Sequence, residues 1–257
     1  MKTCVFCGSN VKISKEHVWS SCLLKKRKGN NKYTSNSVAD KFVGPNSLQV
    51  KDVCEKCNND NLSELDSYIC QLYDSQINNV IEVNDKILFE YDFSLLSRWL
   101  FKTLYNNARS GNADKYFIAL LNTFNQYILN GTNNPTAFLV FLQLIIPYEE
   151  GNTKIPPTYM TAGTINIPKL NVEDVYTFVV CIDSFRFFIV VPRLNAEINI
   201  SELEELFSQL PATKASVRLK DSIDKQLISA SEITTLYAVG PLIMNDLCLW
   251  SKLIDKR

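Results

Sequence analysis

Two short cysteine pairs, "CVFC" (Cys4 and Cys7) and "CEKC" (Cys54 and Cys57), constrain this chain more than any other feature. A spacer of two residues lets one knuckle of backbone present two sulfurs to a single point. Two such knuckles supply the four soft ligands that zinc takes in a tetrahedron. A redox Cys-x-x-Cys would be expected once, at the end of a strand, and a secreted disulfide scaffold would be shorter and more evenly cysteine-rich. The pairing therefore predicts one structural zinc ion held by Cys4, Cys7, Cys54 and Cys57. The 46 residues between the pairs exceed what a simple zinc ribbon needs, so the closure encloses an insert.

That insert carries His17, the only histidine of the 257 residues, directly after Glu16. One histidine means one imidazole for proton transfer near neutral pH. "VKISKEHVW" alternates as a short strand with His17 near its end, and "SLQVKDVC" reads as a second strand returning to the metal. "SCLLKKRKGNNKYTSNS" between them reads as a loop turning at Gly29-Asn30. After Cys57, Leu62, Leu65, Ile69, Leu72 and Ile77 recur at near-helical spacing. The expected order is strand, loop, strand, helix, with Gly8 free to take a positive φ in the first knuckle.

Charge divides the chain although its net value is zero. Residues 1–60 hold eleven Lys and Arg against five Asp and Glu, and the remainder carries the opposite imbalance. The run Lys25, Lys26, Arg27 and Lys28 makes the first segment a candidate polyanion-binding surface. The opening "MKTCVFCGSN" lacks the apolar core of a signal peptide, and "FLVFLQLIIP" is too short to span a bilayer. Together these predict a cytoplasmic protein without a membrane partner. Cys181 and Cys248 lie in apolar stretches and are expected as buried hydrophobes, while Cys22 and Cys70 carry no pattern.

Taken in order, "CVFCGS…KEHVW…VCEKCNND" resembles the zinc-containing HNH endonucleases of the ββα-metal, or His-Me finger, class. The resemblance covers about residues 1–66. It implies a nucleic-acid substrate, with double-stranded DNA the expected one, and metal-dependent hydrolysis of phosphodiester bonds. By the same resemblance His17 is the general base, and Glu16 and Asn58 hold a catalytic Mg²⁺ or Mn²⁺ ion. Asn59 is a substitute for Asn58, and Asn46, or else Asn36, supports the histidine. The family more often has Asp at the position of Glu16 and His at that of Asn58. Bacterial defence and mobile-element systems use nucleases built in this way, which is an analogy.

The expected fold class is α+β: a nuclease module over residues 1–80 and an α+β accessory domain over residues 81–257. Helices are expected over 93–109 and 115–129. A hairpin is expected to turn at Asp183-Ser184, and a helix over 200–210 to be capped by Ser201 with Glu204. Arg98, Lys102 and Arg109 recur at helical spacing, on a solvated face or against phosphate. The accessory region would serve a homodimer contact or a regulatory partner. Two further functions remain open: a non-catalytic zinc module that binds nucleic acid, and a protein-interaction adaptor.

Overall fold

The computed structural model of the chain describes residues 2–28, 33–36, 41–42, 48–111, 113–167, 170, 175–193, 199–210, 213–231 and 234. Strands β1 (Lys2–Thr3) and β2 (Asn10–Val11) pair antiparallel around the first cysteine knuckle. β3 (Ile13–His17) is followed by α1 (Ser21–Lys28), the short strands β4 (Tyr33–Asn36) and β5 (Lys41–Phe42), and β6 (Gln49–Cys54). β3 and β6 form an antiparallel ribbon, its register shifting between Ser14 and Glu16. A long helical stretch then runs through a π-helical segment (Cys57–Leu62), α2 (Ser63–Leu72) and a second π-helical segment (Tyr73–Ile77). The strand, strand, helix order expected around the cysteines is present. Residues 21–28, expected as part of a loop, form α1 instead. Leu23 and Leu24 there are buried, and their packing overrides the poor amphipathic pattern of a run ending in four cations.

Further along come β7 (Lys86–Glu90), α3 (Phe93–Ser110), α4 (Lys115–Asn122), α5 (Asn125–Asn130), β8 (Leu139–Leu144), β9 (Tyr148–Glu150) and β10 (Thr153–Ile155). They are followed by β11 (Tyr159–Thr164), β12 (Val175–Ile182), β13 (Phe185–Pro192), α6 (Ile200–Gln209), β14 (Val217–Leu219) and β15 (Lys225–Ser229). The largest sheet has the order β14-β8-β13-β12-β11-β4-β5, antiparallel except where β11 runs parallel to β4. β12 and β13 form the expected hairpin. At its two-residue turn Asp183 adopts a positive φ of 50°, a conformation that Asp tolerates better than most residues. Alternate residues of the central strands enter two clusters. Phe178, Val180, Phe187 and Ile189 join one that includes α3, while Val179, Cys181, Phe188 and Val190 pack with Leu203 and Phe207 of α6.

Two boundaries differ from expectation. The helix expected over 115–129 breaks at Thr123-Phe124 into α4 and α5. The cap of α6 is Asn199, whose side chain accepts from Ser201 N and Glu202 N, so the cap lies before Ser201.

One hydrophobic cluster crosses the boundary expected near residue 80. It contains Cys4, Phe6, Trp19, Leu23 and Leu65 from the first part together with Trp99, Leu100, Phe101, Tyr105 and Phe124 from the second. Phe6 meets Tyr105 edge to face at 5.6 Å, and Trp19 meets Trp99 at 6.1 Å, both within the range of favourable ring pairs. The mixed α+β class stands, and the first knuckle, α1, β6 and α2 share a core with α3. Among the described residues, no helix is long and apolar enough to cross a membrane.

Candidate metal and catalytic site

The two knuckles converge. The sulfurs of Cys4, Cys7, Cys54 and Cys57 all lie within 4.8 Å of one another. A zinc ion with four thiolates at about 2.3 Å sets sulfur–sulfur separations of roughly 3.8 Å. Cys7 Sγ and Cys54 Sγ are 3.8 Å apart, so the cluster fits such an ion. The local backbone explains the convergence. Gly8 turns the first knuckle at φ 74°, a value that costs glycine little. Gly8 N donates to Cys4 O, while Cys4 N donates to Ser9 O. In the second knuckle Cys57 N donates to Cys54 Sγ at 3.3 Å, and Cys54 N donates across to Cys4 Sγ at 3.3 Å. The Ser9 hydroxyl hydrogen bond leads the effects that lower the Cys7 thiol to about 6, while burial pushes the Cys54 and Cys57 thiols up.

The ribbon beside this cluster has two unlike faces. Strand alternation puts Lys15 and His17 of β3 on one face with Gln49 and Lys51 of β6. Lys15 and Lys51 are exposed and His17 is half-buried. His17 lies opposite Gln49, whose side-chain amide donates to His17 Nε2 at 2.9 Å. With Gln49 as donor, Nε2 is the acceptor and the ring proton sits on Nδ1. This face carries one imidazole and, on one side of it along the ribbon, two ammonium groups.

Glu16 occupies the other face and is 3% exposed. Lys102 of α3, wholly buried, reaches it: Nζ lies 2.5 Å from Glu16 Oε1 and 2.6 Å from Asp66 Oδ1. The contact with Glu16 is one of charge, since Oε1 has no well-aligned donor. Ser20 Oγ donates to Asp66 Oδ1 at 2.5 Å, and Trp99 Nε1 donates to Ser20 Oγ at 3.0 Å. Burial drives the Lys102 pKa down, but the Asp66 and Glu16 carboxylates outweigh it and hold the ammonium above its ordinary value. Asn106, one turn further along α3, donates to His17 O at 3.2 Å, and Arg109 pairs with Asp52 of β6. Arg98 is also buried, donating to Ile128 O and Leu129 O. The three cations of α3 are thus neither a solvated face nor phosphate contacts; they tie α3 to its neighbours.

Asn58 follows the second knuckle, as the resemblance requires, and its amide nitrogen donates to Ser14 Oγ at 2.9 Å and Lys15 O at 3.0 Å. A catalytic divalent ion on Glu16 and Asn58 needs their oxygens free and facing one point. Glu16 is instead turned inward onto Lys102, and the hydrogen bonds of Asn58 brace β3. As placed, these residues do not fit that ion. Asn59 is exposed. Asn46 lies outside the described residues, and Asn36 closes β4. In the basic run Lys25 is exposed and Lys26 pairs with Asp74, while the side chains of Arg27 and Lys28 lie outside the described residues.

No family model matches the chain, and no curated protein or solved structure matches it. Sequence reasoning found the cysteine cluster and brought His17, Glu16 and Asn58 onto one small module. It missed Asp66 and Ser20 and their partnership with Lys102, which joins three distant segments. A buried carboxylate in a strand that otherwise faces water was the one available signal, and it requires knowing which face is covered.

Proposed function

We propose that the chain is a zinc-stabilised phosphodiester hydrolase of the HNH type acting on nucleic acid, double-stranded DNA before RNA. The observation that carries this reading is His17 on the open face of the β3–β6 ribbon, a face that also carries the exposed Lys15 and Lys51, with the ribbon's other end at the four-cysteine cluster. An imidazole there takes a proton from an attacking water through Nε2, once that water replaces the Gln49 amide. The two lysines offset charge gathering on the phosphate. Zinc, held by the four cysteines, supplies rigidity rather than chemistry, because four thiolates leave it no open position. A resident Mg²⁺ or Mn²⁺ ion has no ready ligand set here, so no step is assigned to one.

The engagement of Nε2 by Gln49 and of Glu16 by Lys102 favours a second reading, a zinc module that binds nucleic acid without cutting it. One experiment separates the two. Purified, zinc-loaded full-length protein is incubated with supercoiled plasmid and with RNA, in EDTA and with added Mg²⁺, Mn²⁺ or Ni²⁺. Cleavage that falls about 10²- to 10⁴-fold in His17→Ala, at unchanged zinc content, supports the hydrolase. Equal cleavage by both proteins overturns it, and salt-sensitive binding with no cleavage assigns the second reading.

A further inference from the structure

Cys22 and Cys70 are the two cysteines of the first part of the chain that the zinc cluster does not use. The structure joins their sulfurs, one from α1 and one from α2. Their Cα atoms are 6.2 Å apart, inside the interval that disulfides span. The pair is the middle rung of a ladder. Ser20 pairs with Asp66 below it, and Lys26 pairs with Asp74 above it. Asp66, Cys70 and Asp74 are spaced by four, so they stack along one side of the long helix.

We propose that Cys22 and Cys70 are a reversible thiol–disulfide latch that pins α1 to the helix behind it. Both redox states have a supported geometry. When oxidised, the covalent rung closes a loop spanning 48 positions of sequence. When reduced, the polar rungs on either side still hold the helices together, and Cys22 Sγ has Asp66 O at 3.8 Å as an acceptor. Cys22 is half-buried and Cys70 more deeply buried, so Cys22 is the sulfur that meets an incoming reagent. With a low-molecular-weight disulfide as oxidant, the Cys22 thiolate attacks one of its sulfurs and expels the first thiolate. The Cys70 thiolate then attacks the Cys22 sulfur of the mixed disulfide and expels the second. Two protein thiols lose two protons and two electrons, and the oxidant becomes two thiols. The latch does not depend on the proposed hydrolysis.

The test equilibrates zinc-loaded full-length protein in glutathione buffers from fully reduced to fully oxidised. Samples are quenched in acid, alkylated and mapped by peptide mass spectrometry. A linked Cys22–Cys70 peptide is expected at the oxidised end and none at the reduced end, with Cys4, Cys7, Cys54 and Cys57 unlinked throughout. Amide exchange over residues 21–28 should be about tenfold slower in the oxidised protein, since opening α1 then works against a covalent tether. In Cys22→Ser, and separately in Cys70→Ser, linkage and exchange difference should both vanish, so either variant suffices if the other fails to fold. Absence of the linked peptide at every ratio, linkage of either cysteine to the zinc cluster, or equal exchange in both states overturns the latch.

Discussion

Replacing Lys102 by Met would leave the buried Glu16 and the partly buried Asp66 without their shared cation. Breaking a buried pair by removing one partner costs about 3–5 kcal/mol, because the remaining charge has lost its water and gains nothing. Lys102→Met should therefore lower the unfolding free energy by about that amount, measured by urea titration. Pairing it with Glu16→Gln should recover part of the loss, and an additive double variant would show that the two groups are uncoupled. The pH dependence has a definite sign. A lysine whose pKa is raised in the folded state contributes stability that is fully present below its ordinary value of 10.5. That stability is lost as pH rises through the raised value. Wild type should lose stability more steeply than Lys102→Met on the alkaline side of that point. The cysteine cluster was legible because its chemistry is written in local spacing. Lys102 was not, since its helical spacing with Arg98 and Arg109 says nothing of Glu16 and Asp66, which other elements bring to it.

At the level of elements, alternation and periodicity located β3, β6, the long helix after Cys57, α3 and the β12–β13 hairpin. They failed at α1, where four consecutive basic residues mask a helix held by two leucines. Because Lys26 is already paired with Asp74, the basic run offers fewer than four free cations. Replacing Lys25, Lys26, Arg27 and Lys28 by Gln should flatten the salt dependence of nucleic-acid binding by fewer than four phosphate contacts. An unchanged slope would mean that the run contacts no phosphate. The cap of α6 offers a second check. Asn199 is the side chain that meets the free amides. Asn199→Ala should therefore cost about 1 kcal/mol and Ser201→Ala much less. Thermal melts of the two single variants decide it, and the reverse order would move the cap back to Ser201.

For the whole molecule, the expected division into a module over residues 1–80 and an accessory domain over 81–257 suggests two separate bodies. The packing joins them instead. Asn125 of α5 donates to Val5 O in the first knuckle at 2.7 Å, Asn106 donates to His17 O, and Arg109 binds Asp52 while lying over the Tyr105 ring at 4.4 Å. Charge reports on surfaces, whereas cohesion here comes from buried rings that composition cannot assign to partners. Cys4→Ser, which in a self-contained zinc module would melt residues 1–66 alone, is expected instead to destabilise both parts together. Chelation of the metal should lower the midpoint of a transition shared by near-ultraviolet signals of Trp19 and Trp99 and by far-ultraviolet signals of the sheet. Two separated transitions would show that the knuckles fold on their own.

The contact between Glu16 and Lys102 also orders events in time. Glu16 is synthesised well ahead of Lys102, a lag on the order of ten seconds at ordinary rates of chain elongation. Throughout that interval the nascent ribbon holds a carboxylate destined for burial with no ammonium to meet it. The cysteines can gather a metal once Cys57 has emerged, but the inner face of the ribbon cannot close until α3 leaves the ribosome. The first part of this chain is thus made early and finished late.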